Sequence, residues 1–188
     1  MLDKVFYPEN IVIIGVSERP DNLAVNIVRN LVAFGYKGDI HAVGQREGEV
    51  HGIPILASVD ALPDDIDLAV ILTPATTVPD LVDACGRKGI RRIVIESGGF
   101  AEFSNAGQLL EREVTAVAHR WGIRFVGPNC ISAFNAQNGL CLPFVRIDPD
   151  SVRKGPVSVL AQSGGCFDHL PDPAERGGPG SRQGRQYR

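Results

Sequence analysis

The chain has 188 residues, 44% hydrophobic and 22% charged, with a formal net charge of -3, which allows one full domain with its own core but not two large ones. That mild acidity gives no electrostatic footprint for nucleic acid, and no apolar run reaches the length of a membrane span, so neither partner is expected. Cys85, Cys130, Cys141 and Cys166 have no C-x-x-C spacing and no histidine at metal-ligand distance, so no disulfide frame and no metal site is expected, and an N-terminus without a basic, apolar leader points to the cytoplasm.

The first apolar run, Ile11 to Ile14, is β-branched and continuous rather than alternating, as a parallel strand buried on both faces should be. It stops at Gly15-Val16-Ser17-Glu18-Arg19-Pro20, a turn into a helix whose apolar positions Leu23, Ile27, Leu31 and Phe34 keep helical period and which Gly35 closes. A strand from Asp39 to Val43 follows, then a short extended segment from Pro54 to Leu56 and a small helix near Val59 to Leu62. Leu68 to Leu72 is the next buried strand, ending in Thr73-Pro74-Ala75-Thr76. Thr77 is the expected cap of a helix that turns Val78, Leu81, Val82 and Cys85 inward and ends at Gly89.

Ile93 to Ile95 is a further strand, followed by Glu96-Ser97-Gly98-Gly99-Phe100. A helix from about Asn105 to Arg120 is predicted to bury Leu109, Leu110, Val114, Val117 and Ala118, with Gly122 closing it, and the strand Ile123 to Val126 leads to Gly127-Pro128-Asn129-Cys130. This alternation predicts right-handed βαβ units in a Rossmann-like α/β fold, a doubly wound, mostly parallel sheet over residues 1–134. Residues 135–155 read as an irregular connection. Pro156 to Ala161 reads as another buried strand ending in Gln162-Ser163-Gly164-Gly165, the start of a second α/β unit over 156–170 that goes no further. Pro171 to Arg188 has no apolar face to bury and is expected to be disordered, so the chain reads as stopping within a domain; a natural polar tail and an artefact are the alternatives.

In an open parallel sheet ligands bind outside the carboxyl ends of the strands, so the four loops that follow the buried strands should converge on one crevice. Gly15 lets the chain turn sharply, and backbone N–H groups at the start of the next helix would then face an anion, with the Ser17 hydroxyl as a further donor. The motif is G-x-S-x-x-P rather than G-x-G-x-x-G. Where a classical NAD site wants an acid after the second strand, this chain has Val43-Gly44-Gln45-Arg46, and a cation there suits a phosphorylated ribose, unless Arg46 is only a solvated surface charge.

Read together, Ile13-Ile14-Gly15-Val16-Ser17 with Pro20 and Asn30-Leu31, Asp67-Leu68-Ala69-Val70 leading to Thr73-Pro74-Ala75, Ser97-Gly98-Gly99-Phe100 and Gly127-Pro128-Asn129-Cys130 resemble the CoA-binding domain of NDP-forming acyl-CoA synthetases. That family is related to the α subunit of succinyl-CoA synthetase, and the resemblance runs over about residues 5 to 166. It implies coenzyme A lying across the strand ends, with Gly15, Val16 and Ser17 near its phosphates and Arg46 where the family usually carries Lys. It further implies Thr73, Pro74 and Ala75 along the nucleotide and pantetheine path, Glu96, Ser97 and Gly98 beyond them, and Asn129 and Cys130 near the thiol end. Ala24 in place of a common Gly, and Gly44-Gln45-Arg46 in place of Asn-Pro-Lys, depart from the family pattern.

The resemblance also implies that Val159 to Gly164 begins a flavodoxin-like domain, and that the phosphorylated histidine and the ATP-grasp parts of an acid–thiol ligase are not among these residues. A CoA-binding module that does not catalyse alone is therefore expected, with an ATP-grasp subunit or domain as its partner. A homodimer paired through the unpartnered last strand is allowed. His41, His51, His119 and His169 are expected to pack or face solvent, and Cys130 to pack beside the cleft rather than act as a nucleophile. Two other readings stay open at this point: a fragment of an NAD(P)-dependent oxidoreductase, with Arg46 on a 2′-phosphate, and a regulatory module that senses a nucleotide or acyl-CoA.

Overall fold

Ile11 to Ile14 lie in β1 (Asn10–Ile14), the strand about which the sheet is arranged. The computed structural model describes residues 3–156 and 158–161. In chain order its elements are α1 (Asp3–Phe6), β1, α2 (Leu23–Ala33), β2 (Asp39–Val43), β3 (Gly48–Val50), β4 (Ile53–Leu56), β5 (Leu68–Ile71), α3 (Val78–Arg87), β6 (Arg92–Ile95), α4 (Asn105–Arg120), β7 (Arg124–Val126), β8 (Phe134–Asn135) and β9 (Leu140–Cys141). The main sheet has seven strands in the order β3-β4-β2-β1-β5-β6-β7. Every neighbouring pair is parallel except β3 with β4. The chain builds outward from β1 through β2 to β4, then returns to the other side of β1 to lay down β5. The order therefore reverses between β1 and β5, which is the switch point at which such sheets open a crevice.

Period-two alternation divides the core between the two faces of the sheet. Val12, Ile14, Ala69, Ile71, Ile93 and Ile95 pack with Val78, Val82 and Cys85 of α3 and Val114, Val117 and Ala118 of α4. Ile11, Ile13, Leu68, Val70 and Val94 pack with Ala24, Ile27, Val28 and Leu31 of α2 and with Leu140 and Leu142. Each fully buried Val, Leu or Ile contributes about 1.5–3 kcal/mol of transfer free energy, so the continuous apolar runs of β1, β5 and β6 stabilise both layers at once.

The α/β, Rossmann-like, mostly parallel architecture is as the sequence predicts, and Gly35, Gly89 and Gly122 take positive φ of 64°, 89° and 64° at the helix ends. Several details differ. Leu23 and Leu109 are exposed rather than inward, because each lies one position off the stripe that its helix buries. Thr77 makes no capping hydrogen bond; its hydroxyl donates instead to the Pro74 carbonyl at 2.8 Å and accepts from the Thr73 hydroxyl at 2.9 Å, closing the 3₁₀ turn Ala75–Thr77. Arg124 and Val126 are exposed, since β7 is an edge strand and not a strand covered on both faces. The hairpin partner β3 has no signature in the sequence, its residues Gly48-Glu49-Val50 being too few to display a period.

The connection predicted as irregular holds the small hairpin β8–β9, and its residues Leu140, Cys141 and Leu142 are fully buried. Asn30 of α2, itself fully buried, clamps the segment that follows: its Nδ2 donates to the carbonyls of Pro143 at 2.9 Å and Val145 at 2.7 Å, and its Oδ1 accepts from Ile147 N at 3.3 Å. The compact unit ends at Gly155, and a second, small unit begins at Pro156. Its described residues, Pro156 and 158–161, form no strand, and Val159 and Leu160 are exposed. The buried strand expected over Pro156 to Ala161 is thus corrected: among the described residues no neighbouring strand pairs with it, and an apolar run without a ladder does not make a sheet. The expected Gln162–Gly165 turn and the expected disorder of Pro171 to Arg188 fall outside the described residues. Among the described residues no helix is long and apolar enough to cross a membrane.

Candidate functional site

An open cleft of about 1340 Å³ lies at the carboxyl ends of β1, β2 and β5, where the strand order reverses. That exceeds the roughly 300–1,000 Å³ of a site for a compact small molecule and suits an extended ligand. Its shape begins with Gly15. This residue has φ +107°, and a Cβ there would stand 2.2 Å from the Leu72 carbonyl oxygen, so only glycine lets the turn pass this close to β5. Gly44 has the same function across the cleft, where a Cβ would come within 2.1 Å of the Val16 carbonyl oxygen.

The loop after β1 is pinned at both ends. Gly15 N and Val16 N both donate to the Val43 carbonyl, at 2.9 and 3.1 Å. Asn22 caps α2 by accepting from Val25 N at 3.1 Å while its Nδ2 donates to the Gly15 carbonyl at 2.9 Å. One consequence modifies the sequence reading: the N–H groups of Gly15 and Val16 are committed to β2 and do not face an anion. The donors left at the cleft include the Ser17 hydroxyl and the N–H groups of Leu23 and Ala24, which have no partner within the helix, whereas Val25 N is taken by the cap.

On the opposite wall Thr73 N donates to Ser97 Oγ at 2.9 Å, joining the loops after β5 and β6. The cleft is lined by carboxylates of Glu18, Asp21, Glu47, Asp60 and Asp80 against the guanidinium groups of Arg19 and Arg46. Arg46 is exposed and has no ion-pair partner among the described residues. Arg19 is bound to Asp21 by two parallel hydrogen bonds, Nε to Oδ1 at 3.1 Å and a terminal nitrogen to Oδ2 at 3.0 Å, and this pairing holds the Asp21 carboxyl below the usual carboxylate range.

Gly15, Val16, Ser17, Arg46, Thr73, Pro74, Ser97 and Gly98 all line the cleft, whereas Ala75, Glu96, Asn129 and Cys130 do not. Ala75 lies in the 3₁₀ turn just past Pro74. Asn129, with φ 53°, donates its N–H to the Ser97 carbonyl at 3.0 Å and so ties the fourth loop to the third. Cys130 Sγ donates to the Ile95 carbonyl at 3.4 Å. Glu96 is only 2% exposed, and neither of its carboxyl oxygens has a hydrogen-bond partner. Burial pushes its pKa up to about 8, while the Ser132 hydroxyl and the Phe144 N–H pull the other way without closing a hydrogen bond. Burial, with a further push from Glu96, raises the Cys130 thiol to about 11. At neutral pH the thiol is protonated and the Glu96 carboxyl is held largely so, and a protonated thiol is a poor nucleophile, in keeping with packing beside the cleft.

Residues that the motifs did not single out complete the site. Asn22 had a signal, since Asn immediately before an apolar-periodic run is a preferred cap. Arg19 and Asp80 had none beyond their charge, which on a surface loop or helix means little. Among the described residues no three His, Cys, Asp or Glu side chains come together as a metal site.

Residues 9–136 match the CoA binding domain family. The ADP-forming acetate–CoA ligase I of Archaeoglobus fulgidus is 36% identical over 179 residues, 95% of this chain and 25% of its own length. The α subunit of the ADP-forming acetate–CoA ligase II of Pyrococcus furiosus is 35% identical over 164 residues, 87% of this chain and 35% of that subunit. Among solved structures, a protein from Pyrococcus horikoshii superposes with a TM-score of 0.80 at 37% identity, covering 88% of this chain and 37% of that one. The apo dinucleotide-forming acetyl-coenzyme A synthetase 1 of Ca. Korarchaeum cryptofilum superposes with a TM-score of 0.72 at 32% identity, covering 77% and 31%. The chain thus spans between 25% and 35% of the length of these curated relatives. Its cleft stands at the switch point of a Rossmann-like sheet and falls within the matched residues, and the chain belongs to the CoA binding domain family, with coenzyme A as its ligand.

Proposed function

We propose that this chain is the CoA-binding part of an NDP-forming acid–thiol ligase. Coenzyme A lies across the carboxyl ends of β1, β2 and β5, with its diphosphate beside Gly15, Val16 and Ser17 and its ribose phosphate at Arg46. The pantetheine arm passes Thr73, Pro74 and Ala75 toward Ser97 and Gly98, and the thiol ends near Asn129, Cys130 and Glu96. The supporting observation is the cleft itself, an extended volume at the switch point lined by three of the four small-residue loops, with the fourth tied to it through the Asn129–Ser97 hydrogen bond.

In this reading the chain binds CoA, and phosphoryl transfer belongs to other parts: a phosphorylated histidine, and an ATP-grasp subunit or domain that works with it in the cytoplasm. His41, His51 and His119 do not line the cleft. A ligand that binds only the folded state stabilises it by about 2.7 kcal/mol at a hundredfold excess over its dissociation constant. Thermal unfolding with CoA, dephospho-CoA, NAD and NADP tests the reading. CoA should raise the melting temperature most and NAD least; a larger rise with either nicotinamide cofactor would overturn it.

A further inference from the structure

We propose that Arg19 is a ligand of the coenzyme A diphosphate which Asp21 holds in reserve, so that binding exchanges the carboxylate for the phosphate. The inference rests on CoA occupying the cleft as proposed above.

Three observations carry it. First, the cleft has an excess of carboxylates, and the ligand that enters it bears a diphosphate and a ribose phosphate. Of the two cations on its walls, Arg46 is free and Arg19 is neutralised by Asp21. A single free guanidinium at the β2 end leaves the diphosphate, at the β1 end, without a cation. Second, two of the backbone donors that a glycine turn would normally offer are already taken, because Gly15 N and Val16 N bond the Val43 carbonyl. The neutral donors that remain, the Ser17 hydroxyl and the N–H groups of Leu23 and Ala24, carry no formal charge, and a guanidinium adds one.

Third, the loop is built so that only the side chains need move. Asn22 fixes its two ends through Gly15 and Val25, and Asn22 N closes a turn on the Arg19 carbonyl at 3.1 Å. Arg19 and Asp21 are 76% and 71% exposed in their side chains, so their attraction is screened by water and a solvated pair of this kind is easily broken. The planar guanidinium that meets a carboxylate with two parallel bonds meets a phosphate in the same geometry. Asp21 thus holds Arg19 at the cleft wall and yields it to a more highly charged partner.

Titration of CoA into the wild-type chain, R19A, D21N and the double variant at fixed low ionic strength forms the test, with thermal unfolding as a check that each is folded. D21N should tighten binding by about two- to fivefold, the range that corresponds to breaking an exposed pair, and R19A should weaken it by about tenfold. In the R19A background D21N should change affinity by less than a factor of about two, since the gain acts through the released guanidinium. The same coupling should appear with dephospho-CoA, which keeps the diphosphate. If D21N tightens binding equally with and without Arg19, Asp21 acts only by repulsion and the inference is overturned; it is overturned equally if neither variant alters affinity while the wild type binds CoA, or if the coupling vanishes with dephospho-CoA. Failure of the wild type to bind CoA would overturn the proposed function and this inference with it.

Discussion

Arg46 and Glu96 each follow a parallel strand of the same sheet, Arg46 just beyond β2 and Glu96 immediately after β6, yet water reaches the first and not the second. Around Arg46 the backbone is fixed by close approach, Gly44 against Val16 and Gly15 against Leu72, while the charges stand in solvent. Around Glu96 the relation is inverted. Ser132 and Phe144 lie beside the carboxyl, its oxygens have no partners, and burial favours the protonated form. A crevice that must admit phosphates keeps its charge solvated and weakly held at one end, where partners can be exchanged. Beside the crevice, after β6, dry packing suppresses charge instead, because an ionised Glu96 would have nothing to pair with.

The severest way to break the comparison is to spoil the backbone that shapes the open end. Gly15→Ala places a Cβ 2.2 Å from a carbonyl oxygen at φ +107°, and neither atom belongs to a side chain that can swing away. A loss of about 4 kcal/mol is expected from strain and displacement together, read as a lower urea midpoint with an unchanged slope, and CoA binding should fall with it. A loss under about 1 kcal/mol would mean that the β1 loop is free to move and that the cleft is not set by it.

Glu96 should give the next largest effect, and its sign is definite. Its carboxyl has a model-compound value of 4.5 and is raised to about 8 when folded, so between those values the folded protein holds a proton that the unfolded chain has released. Stability must therefore fall as pH rises through that window and level off above it, by about 3 kcal/mol once relaxation around the carboxylate is allowed for. Asp21, Asp64 and Asp67 are shifted downward and act at the acid end, below about pH 4, so they do not obscure it. Glu96→Gln should flatten the slope between pH 5 and 8 in urea unfolding, whatever it does to the absolute value. An unaltered slope would show that another group carries the proton.

The same contrast explains what the sequence made legible. Continuous β-branched runs and the turns after them mark β1, β5, β6 and β7, and the Asp39 to Val43 strand after the first helix completes the switch point, because strand burial and left-handed glycines are local properties of the chain. The cleft residues Gly15, Ser17, Arg46, Thr73 and Ser97 lie in loops at the carboxyl ends of parallel strands, where such a sheet opens its crevice, although Ala75 and Glu96 in the same loops do not line it. What stayed hidden depends on partners distant in sequence. Nothing near Asn30 announces that it will clamp Pro143, Val145 and Ile147, and nothing near Glu96 announces the Ser132 to Phe144 cover that dries it. The run Pro156 to Ala161 has the composition of a buried strand, yet strand formation requires a neighbour, which composition does not report. Arg19 was visible as a charge but not as one arm of a pair, because the pairing is a matter of side-chain geometry.

The smallest expected effect sharpens the comparison most, since it distinguishes a solvated contact from a buried one by its response to salt. If Arg46 meets the ribose phosphate, Arg46→Ala should weaken CoA by about tenfold at low ionic strength and leave dephospho-CoA nearly unchanged, because a charge-assisted hydrogen bond is lost only where its anion exists. Arg46→Lys should fall between, keeping the charge and losing the planar fork. Arg46 is exposed, so raising the salt from about 0.01 M to about 0.15 M, which shortens the screening length from about 30 to about 8 Å, should erase much of the difference. The pH slope due to Glu96, set by burial rather than by distant charge, should survive the same change. Calorimetric titration of both ligands at the two salt concentrations checks this. Equal losses for CoA and dephospho-CoA would place Arg46 on some other part of the ligand, and a loss that ignores salt would mean that the guanidinium leaves the solvent when CoA binds.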